Sequence, residues 1–264
     1  MERYRRAYRI KKKKSIFKNR FFWFSILILI ILGSVFYFLF FSDFFQIKKI
    51  IIAGERKILK EKIELLVEKK LEKKMLWLKT KSIFLVNFNE IKKDILNNFP
   101  QIVKVEIKRR FPHSLYIGLE ERLGAAIFCQ EDQCFLLDKE GIIFEEISKN
   151  ESNFLRIKTI ELKEKLGLGE RVIDGDLLSK ILEVSSKLKD LKIFVEELFL
   201  VSDEKINIKT AEEWEIYFNP KGDFNWQLIK LKAVLDKEIP QEKRKDLEYI
   251  DLRFGNFAPY KYRD

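Results

Sequence analysis

The sequence predicts an α+β protein with an N-terminal transmembrane helix, a small β-α-α-β-β domain, and a mixed β-rich second domain with two or more helices. Three observations predict this. Phe21 to Phe41, FFWFSILILIILGSVFYFLFF, runs twenty-one residues without a charge. Residues 44–122 then give strand, helix, helix, strand and strand signals in succession. From Leu123 onward short alternating segments separated by turn residues dominate, with helical stretches among them. The expected layout is a basic tail over 1–20, a membrane helix over 21–41, a first domain over 44–122, and a second over 123–264 that ends in an edge strand.

At 1.5 Å per residue the apolar run spans roughly 30 Å, the thickness of a bilayer's hydrocarbon core. Trp23 and Tyr37 lie towards its two ends, where amphipathic rings favour the interface. A cleavable signal has an apolar stretch of about 7–15 residues followed by a small-x-small site. This run is longer and leaves through Ser42-Asp43-Phe44-Phe45, so an uncleaved anchor is expected. Ten basic residues precede it, and only Lys48, Lys49 and Arg56 follow closely. Basic flanks stay inside, which places the N-terminus in the cytoplasm and residues 44–264 outside.

Charge has to be read by segment. The whole chain carries a formal +11, but residues 1–20 account for +9 of it, leaving 42 basic against 40 acidic side chains in the remainder. A nucleic-acid surface needs its excess on the folded domain, so that class is disfavoured. The tail reads as a topology signal also drawn to anionic lipid, at about 1 kcal/mol per basic residue near the surface. One His and two Cys exclude a zinc ribbon or a disulfide-dense scaffold.

In the first domain, Gln46–Ala53 reads as a strand ended by Gly54. Leu59, Ile63, Leu66 and Val67 give a helical stripe within Ile58–Leu71. Asn89 is the expected N-cap of a second helix using Ile91, Ile95 and Leu96, stopped by Asn97-Asn98-Phe99-Pro100. Val103, Val105 and Ile107 alternate as the inward residues of a strand over 102–109. Phe111-Pro112-His113-Ser114 turns into the return strand 115–122. In the second domain, 126–129 and 134–137 form a hairpin, and Asp138-Lys139-Glu140-Gly141 turns into Ile142-Ile143-Phe144. Leu177–Leu188 is helical behind Asp174 or Asp176; 193–201 pairs with 206–209; and 214–218 is a strand. Asp223 caps a helix through Trp226, Ile229, Leu231, Val234 and Leu235, and Leu247–Tyr262 is a single last strand.

These segments resemble the bacterial cell-division family FtsQ, called DivIB in Gram-positive bacteria. FQIKKIIIAG and SIFLVNFNEIKKDILNNFPQIVKVEIKRRFPHSLYIGLEER look like a POTRA domain, with Phe99-Pro100, Arg109-Arg110-Phe111-Pro112 and Glu120-Glu121-Arg122 in the family's order and spacing. CFLLDKEGIIF (134–144) is similar to the hairpin that follows it, and WEIYFNPKGDFNWQLIKLKAVL (214–235) with YIDLRFGN (249–256) to the family's ending. The Cys129/Cys134 pair and the short run after Tyr262 depart from the family pattern. The resemblance implies a divisome scaffold of the plasma (inner) membrane, located at the division septum. It implies FtsB- and FtsL-type partners, and a last strand that receives a segment of FtsB by strand addition. By the same resemblance the POTRA module serves septal recruitment.

Catalytic chemistry finds no footing. His113, the only histidine, lies in a Pro-His-Ser turn, and no G-x-S-x-G, H-E-x-x-H or G-x-x-x-x-G-K pattern occurs. Glu120 and Glu121 are adjacent on a strand and point to opposite faces, so they cannot flank one bond. No enzyme activity, cofactor, metal or small-molecule substrate is expected; a membrane-anchored wall-modifying enzyme is the alternative reading. Cys129 and Cys134 bracket a hairpin mouth outside the membrane, where both a cross-strand disulfide and a pair of packed free thiols fit. A loop that short would contribute only about 2 kcal/mol in the chain-entropy model.

The expected binding feature is the terminal strand, whose outer backbone groups would be open to another chain. Phe254, Tyr260 and Tyr262 share one parity along it, and with Phe257 they form the candidate partner-binding set. Ile250 and Leu252 should pack inward, and Pro259 should mark where regular pairing ends.

Overall fold

The structure, a computed structural model, describes residues 20–54, 58–75, 78–148, 154–159 and 166–263. Residues 1–19 of the basic tail and Arg56, which bear on the sidedness of the anchor, lie outside the described residues. The described chain forms two compact units, one of residues 20–53, 60–91 and 106–118, the other of 54, 58–59, 92–105 and 119–263.

The first helix, α1 (Arg20–Phe41), covers the apolar run and buries none of its residues against protein. It is long and apolar enough to cross a membrane. Beyond it come β1 (Lys49–Ala53), α2 (Lys60–Leu71), the short hairpin β2 (Lys73–Met75) and β3 (Leu78–Thr80), α3 (Phe88–Asn98), β4 (Ile102–Arg110) and β5 (Ser114–Glu121). The three main strands lie in the order β1-β5-β4, with β1 parallel to β5. Ile63, Val67 and Leu71 are the buried stripe of α2. Gly54 has φ +95°, and a Cβ there would lie 2.0 Å from the Leu119 carbonyl oxygen, so only glycine ends β1 this way.

Three local expectations need correction. Leu59, expected on the stripe of α2, precedes the helix and is 59% exposed. The cap of α3 is Asn87, whose Oδ1 accepts from the Glu90 amide at 3.3 Å, while Asn89 lies inside the helix. Both positions carry the same good capping residue, and the apolar spacing alone did not separate them. In β4 the inward residues are Ile102 and Val105, whereas Val103 is 41% exposed. The two-residue alternation is therefore broken at its start. The hairpin β2–β3 has no strand signal in the sequence: KKM and LKT lack the apolar alternation of a strand.

The second unit is built on a nine-stranded sheet. Its strands are β6 (Ala126–Gln130), β7 (Gln133–Leu137), β8 (Ile143–Ile147), β9 (Arg156–Thr159), β10 (Val195–Ser202), β11 (Lys205–Thr210), β12 (Glu215–Phe218), β13 (Leu247–Asp251) and β14 (Tyr260–Tyr262). Their order is β14-β13-β12-β11-β10-β9-β6-β7-β8. Helices α4 (Gly175–Asp190) and α5 (Phe224–Lys237) supply Leu178, Ile181, Val184, Leu188, Phe224, Leu228, Leu231 and Leu235 to one core with the strands. Asp174, not Asp176, caps α4 by accepting from the amides of Asp176 and Leu177. The four-residue β9 sits mid-sheet, parallel to both β6 and β10, with Ile157 fully buried; its charged neighbours hid it in the sequence. Arg122 bonds the Pro100 carbonyl and the Asp138 carboxylate, which in turn accepts from the amides of Glu140 and Ile142 to shape the turn before β8.

Cys129 and Cys134 stand opposite each other across the two-residue turn of β6 and β7, Cα–Cα 4.2 Å apart, with a disulfide between them. Because Gln130 and Gln133 are the pair that closes the turn, the next pair is a non-hydrogen-bonded one, the closer of the two kinds of antiparallel pair.

Candidate functional site

The two ends of the large sheet differ. At the β8 end, Ile143 exchanges backbone hydrogen bonds with Gly169 and Glu170, so a neighbouring segment covers part of that edge. At the other end β14 is the last strand among the described residues. The Leu247–Tyr262 segment is thus two strands, not one. β13 lies between β12, to which it is parallel, and β14, which folds back antiparallel to it. The shared parity of Phe254 with Tyr260 and Tyr262 is lost, since Phe254 and Phe257 lie in the connection. Pro259 precedes the last strand instead of ending the pairing: its carbonyl accepts from the Asp251 amide at 2.8 Å.

The register fixes which backbone groups face outward. Asp251 bonds to Pro259 and Arg263 to Asp246, and Tyr249 is opposite Lys261. By the alternation of an antiparallel ladder, Tyr260 and Tyr262 therefore turn their N–H and C=O away from β13. Their side chains share the face of Ile250 and Leu247, which are fully buried. Tyr262 is half-buried against the core, while Tyr260 is exposed and meets the Tyr262 ring edge-on. Of the four residues expected at the site, Phe254, Phe257 and Tyr260 are exposed, Phe257 most of all at 76%, and Tyr262 is a core-facing residue on the edge strand.

Helix α5 organises the connection. Asp223 caps it, accepting from the amides of Asn225 and Trp226 at 2.8 and 3.3 Å. Gln227, buried at the first turn, bonds both ways to the Asn219 backbone and holds the helix start against the end of β12. The helix faces its core with Phe224, Leu228, Leu231 and Leu235, so Trp226 and Ile229, expected on the apolar stripe, are exposed. The Trp226 indole N–H donates to the Gly255 carbonyl at 3.2 Å. Between these two exposed side chains and the core, Lys230 is buried and its ammonium donates to three carbonyls of the connection: Leu252 at 2.6 Å, Phe254 at 2.8 Å and Phe257 at 3.1 Å. Three donors on one cation meet three acceptors on one loop, which fixes the backbone that displays Phe254 and Phe257. Burial pulls the Lys230 pKa below the ordinary lysine value, and the Asp251 carboxylate opposes that shift.

An ion pair closes the same corner. The Arg253 guanidinium bonds the buried Asp251 carboxylate through Nε at 2.9 Å and Nη2 at 2.6 Å, and this raises its pKa further. Lys230, Trp226 and Ile229 were not assigned to the site from sequence. The spacing of Phe224, Leu228, Leu231 and Leu235 is the signal that would have placed Trp226 and Ile229 outside. Nothing in sequence marks Lys230, one of many lysines, as the one that turns inward. Among the described residues no group of three or more His, Cys, Asp or Glu is arranged to hold a metal ion.

The chain matches two family models in succession, the FtsQ-type POTRA domain over residues 45–122 and the C-terminal domain of the cell division protein FtsQ/DivIB over 126–253. It is similar to the cell division protein DivIB of Clostridium tetani, 26% identical over 186 residues that cover 70% of this chain and 65% of that protein. The DivIB of Clostridium acetobutylicum is 28% identical over 220 residues, 81% of this chain and 82% of that one. The cell division protein FtsQ of Rickettsia bellii is 36% identical over 106 residues, 40% of this chain and 35% of that protein. The matches thus span from about a third to about four fifths of these relatives' own lengths. With both models matched in order behind an apolar helix of membrane-spanning length, the chain belongs to the FtsQ/DivIB family of cell division proteins.

Proposed function

We propose that this chain is a non-enzymatic scaffold of the divisome, anchored by α1 with its N-terminus in the cytoplasm and residues 44–264 outside. At the septum it links early to late division components by accepting a strand from an FtsB-type partner, with an FtsL-type protein in the same assembly. The observation that carries the reading is the outward-turned edge of Tyr260 and Tyr262 beside the exposed rings of Phe254 and Phe257. The edge offers main-chain pairing, and the rings offer the apolar anchors that a bare edge lacks. The edge strand is three residues long, contains Lys261 and follows Pro259, features that discourage indiscriminate pairing with other copies. A partner has to supply both a strand and side chains that fit the rings. The Cys129–Cys134 disulfide belongs to the scaffold and not to the docking surface in this reading.

The test is the full chain in vesicles carrying Phe254→Glu with Tyr260→Glu, titrated with the extracytoplasmic part of the FtsB-type partner. Losing two interface anchors of about 1–2 kcal/mol each weakens binding by roughly 30- to 1000-fold. Unchanged affinity in a normally folded double variant would contradict the assignment.

A further inference from the structure

The end of α1 is not followed by a free linker. The carbonyl of Leu39 accepts from Ser82 Oγ at 3.0 Å, and that of Phe40 from Thr80 Oγ1 at 2.5 Å and Gln46 Nε2 at 3.1 Å. Gln46 also accepts from the Lys81 amide at 2.6 Å, and the backbones of Ile47 and Lys81, and of Ile83 and Phe45, are hydrogen-bonded. Thr80 and Ser82 are buried. Last-turn carbonyls of a helix have no partner within it, and here side chains of the following domain supply three donors.

The surface around this joint is aromatic. Phe44 is 55% exposed, Phe84 38% and Phe111 59%. Their rings continue those of the helix without a gap: Phe38 to Phe44 at 6.2 Å, Phe44 to Phe45 at 5.0 Å, Phe45 to Phe84 at 5.1 Å and Phe84 to Phe111 at 5.6 Å. Arg109 holds the segment carrying Phe84, donating to the carbonyls of Ile83 at 2.7 Å and Val86 at 3.3 Å with its guanidinium over the Phe88 ring.

We infer that Phe44, Phe84 and Phe111 form a lipid-contacting collar that seats the first domain in the interfacial layer of the outer leaflet. It rests on α1 spanning the membrane and not on the β14 edge. The lipid interface is the occupant because the patch is continuous with the apolar wall of the helix and begins where that helix emerges. Rings at that depth exchange water for the boundary between headgroups and acyl chains. The capped joint then makes the collar a fixed seat, so the domain's orientation is set by the bilayer.

The experiment places single cysteines at Phe84, Phe111 and Ile30 of the full chain, labels each without reductant with an environment-sensitive fluorophore, and reconstitutes the protein in phosphatidylcholine–phosphatidylglycerol vesicles. Unsubstituted protein gives the labelling background. Probes at 84 and 111 are expected to shift to the blue, to lose at least about half their emission to lipids brominated near the glycerol end, and to be shielded from aqueous iodide, as for groups buried roughly 5–10 Å into the interface. Emission like that in water, or a blue shift without bromine quenching, overturns the proposal, the latter because protein then covers the patch. Lipids brominated near the end of the acyl chain read the Ile30 probe, which lies midway along α1: its quenching by them without quenching at 84 and 111 leaves the anchor standing and removes the collar, and no quenching at Ile30 by them removes the anchor itself.

Discussion

Replacing Lys230 by methionine keeps most of the side chain's apolar stem and removes the ammonium. In the native protein that ammonium is within 3.1 Å of three carbonyls, those of Leu252, Phe254 and Phe257. A hydrogen bond to a charged group contributes about 1.5–3 kcal/mol net, but one cation shared by three acceptors is not worth three such bonds. The carbonyls regain water once the connection opens, and burying the ammonium opposes part of the gain. The balance is about 2–3 kcal/mol favouring the closed connection, so its opening equilibrium should rise roughly 30- to 150-fold in the variant. Amide hydrogen exchange reads this directly. The Phe257 amide, bonded to Phe254, and the Asp251 amide, bonded to Pro259, should exchange faster by that factor, while Ile206 and Ile208 on β11 keep their rates. Partner affinity falls only when the competent conformation becomes a minority, in proportion to its population. Native exchange rates at 251–258 in Lys230→Met would refute the reasoning that the ammonium holds this surface in place.

Three further outcomes follow from the same packing. Leu231→Ala should lower unfolding free energy by about 2–5 kcal/mol in urea titration, because Leu231 is fully buried, whereas Ile229→Ala should stay within about 0.5 kcal/mol; equal effects would mean the helix faces its core differently. Asp223→Ala removes the acceptor for two amides at the start of α5 and should lower stability by about 1 kcal/mol in the same titration, and no loss would show that the cap contributes nothing. Because both cysteines are buried, a thiol reagent should label the chain unfolded in denaturant only after reductant, and reduction should lower stability by about 2 kcal/mol; labelling before reductant would contradict the Cys129–Cys134 bond.

What was legible in the sequence followed from periodicity and turn chemistry. The apolar run gave α1 to within one residue, and the capping aspartates Asp174 and Asp223 stand directly before α4 and α5. The misreadings share a cause. A chain with this much Lys and Glu contains short strands such as Arg156–Thr159, whose one buried residue, Ile157, gives no alternation to detect. In α5, apolar residues occupy both the core face and the exposed face, so Trp226 and Ile229 blurred the phase that Phe224, Leu228, Leu231 and Leu235 define. At the C-terminus, Tyr249 to Tyr262 reads as one extended segment, because a reversal held by Lys230, Trp226 and the Asp251–Arg253 pair depends on contacts from residues far away in sequence or on side-chain geometry. Edge position itself is a property of the whole sheet, and no local pattern announces it.

The central claim is that β14 accepts a strand, and the amides of Tyr260 and Tyr262 test it most directly. Both face away from β13, so in the chain alone they should exchange with solvent far faster than the Lys261 amide between them, which faces Tyr249. On binding the FtsB-type partner they should become protected to the level of Lys261. Exchange at Tyr260 and Tyr262 that stays fast in a saturated complex would mean that the partner docks elsewhere.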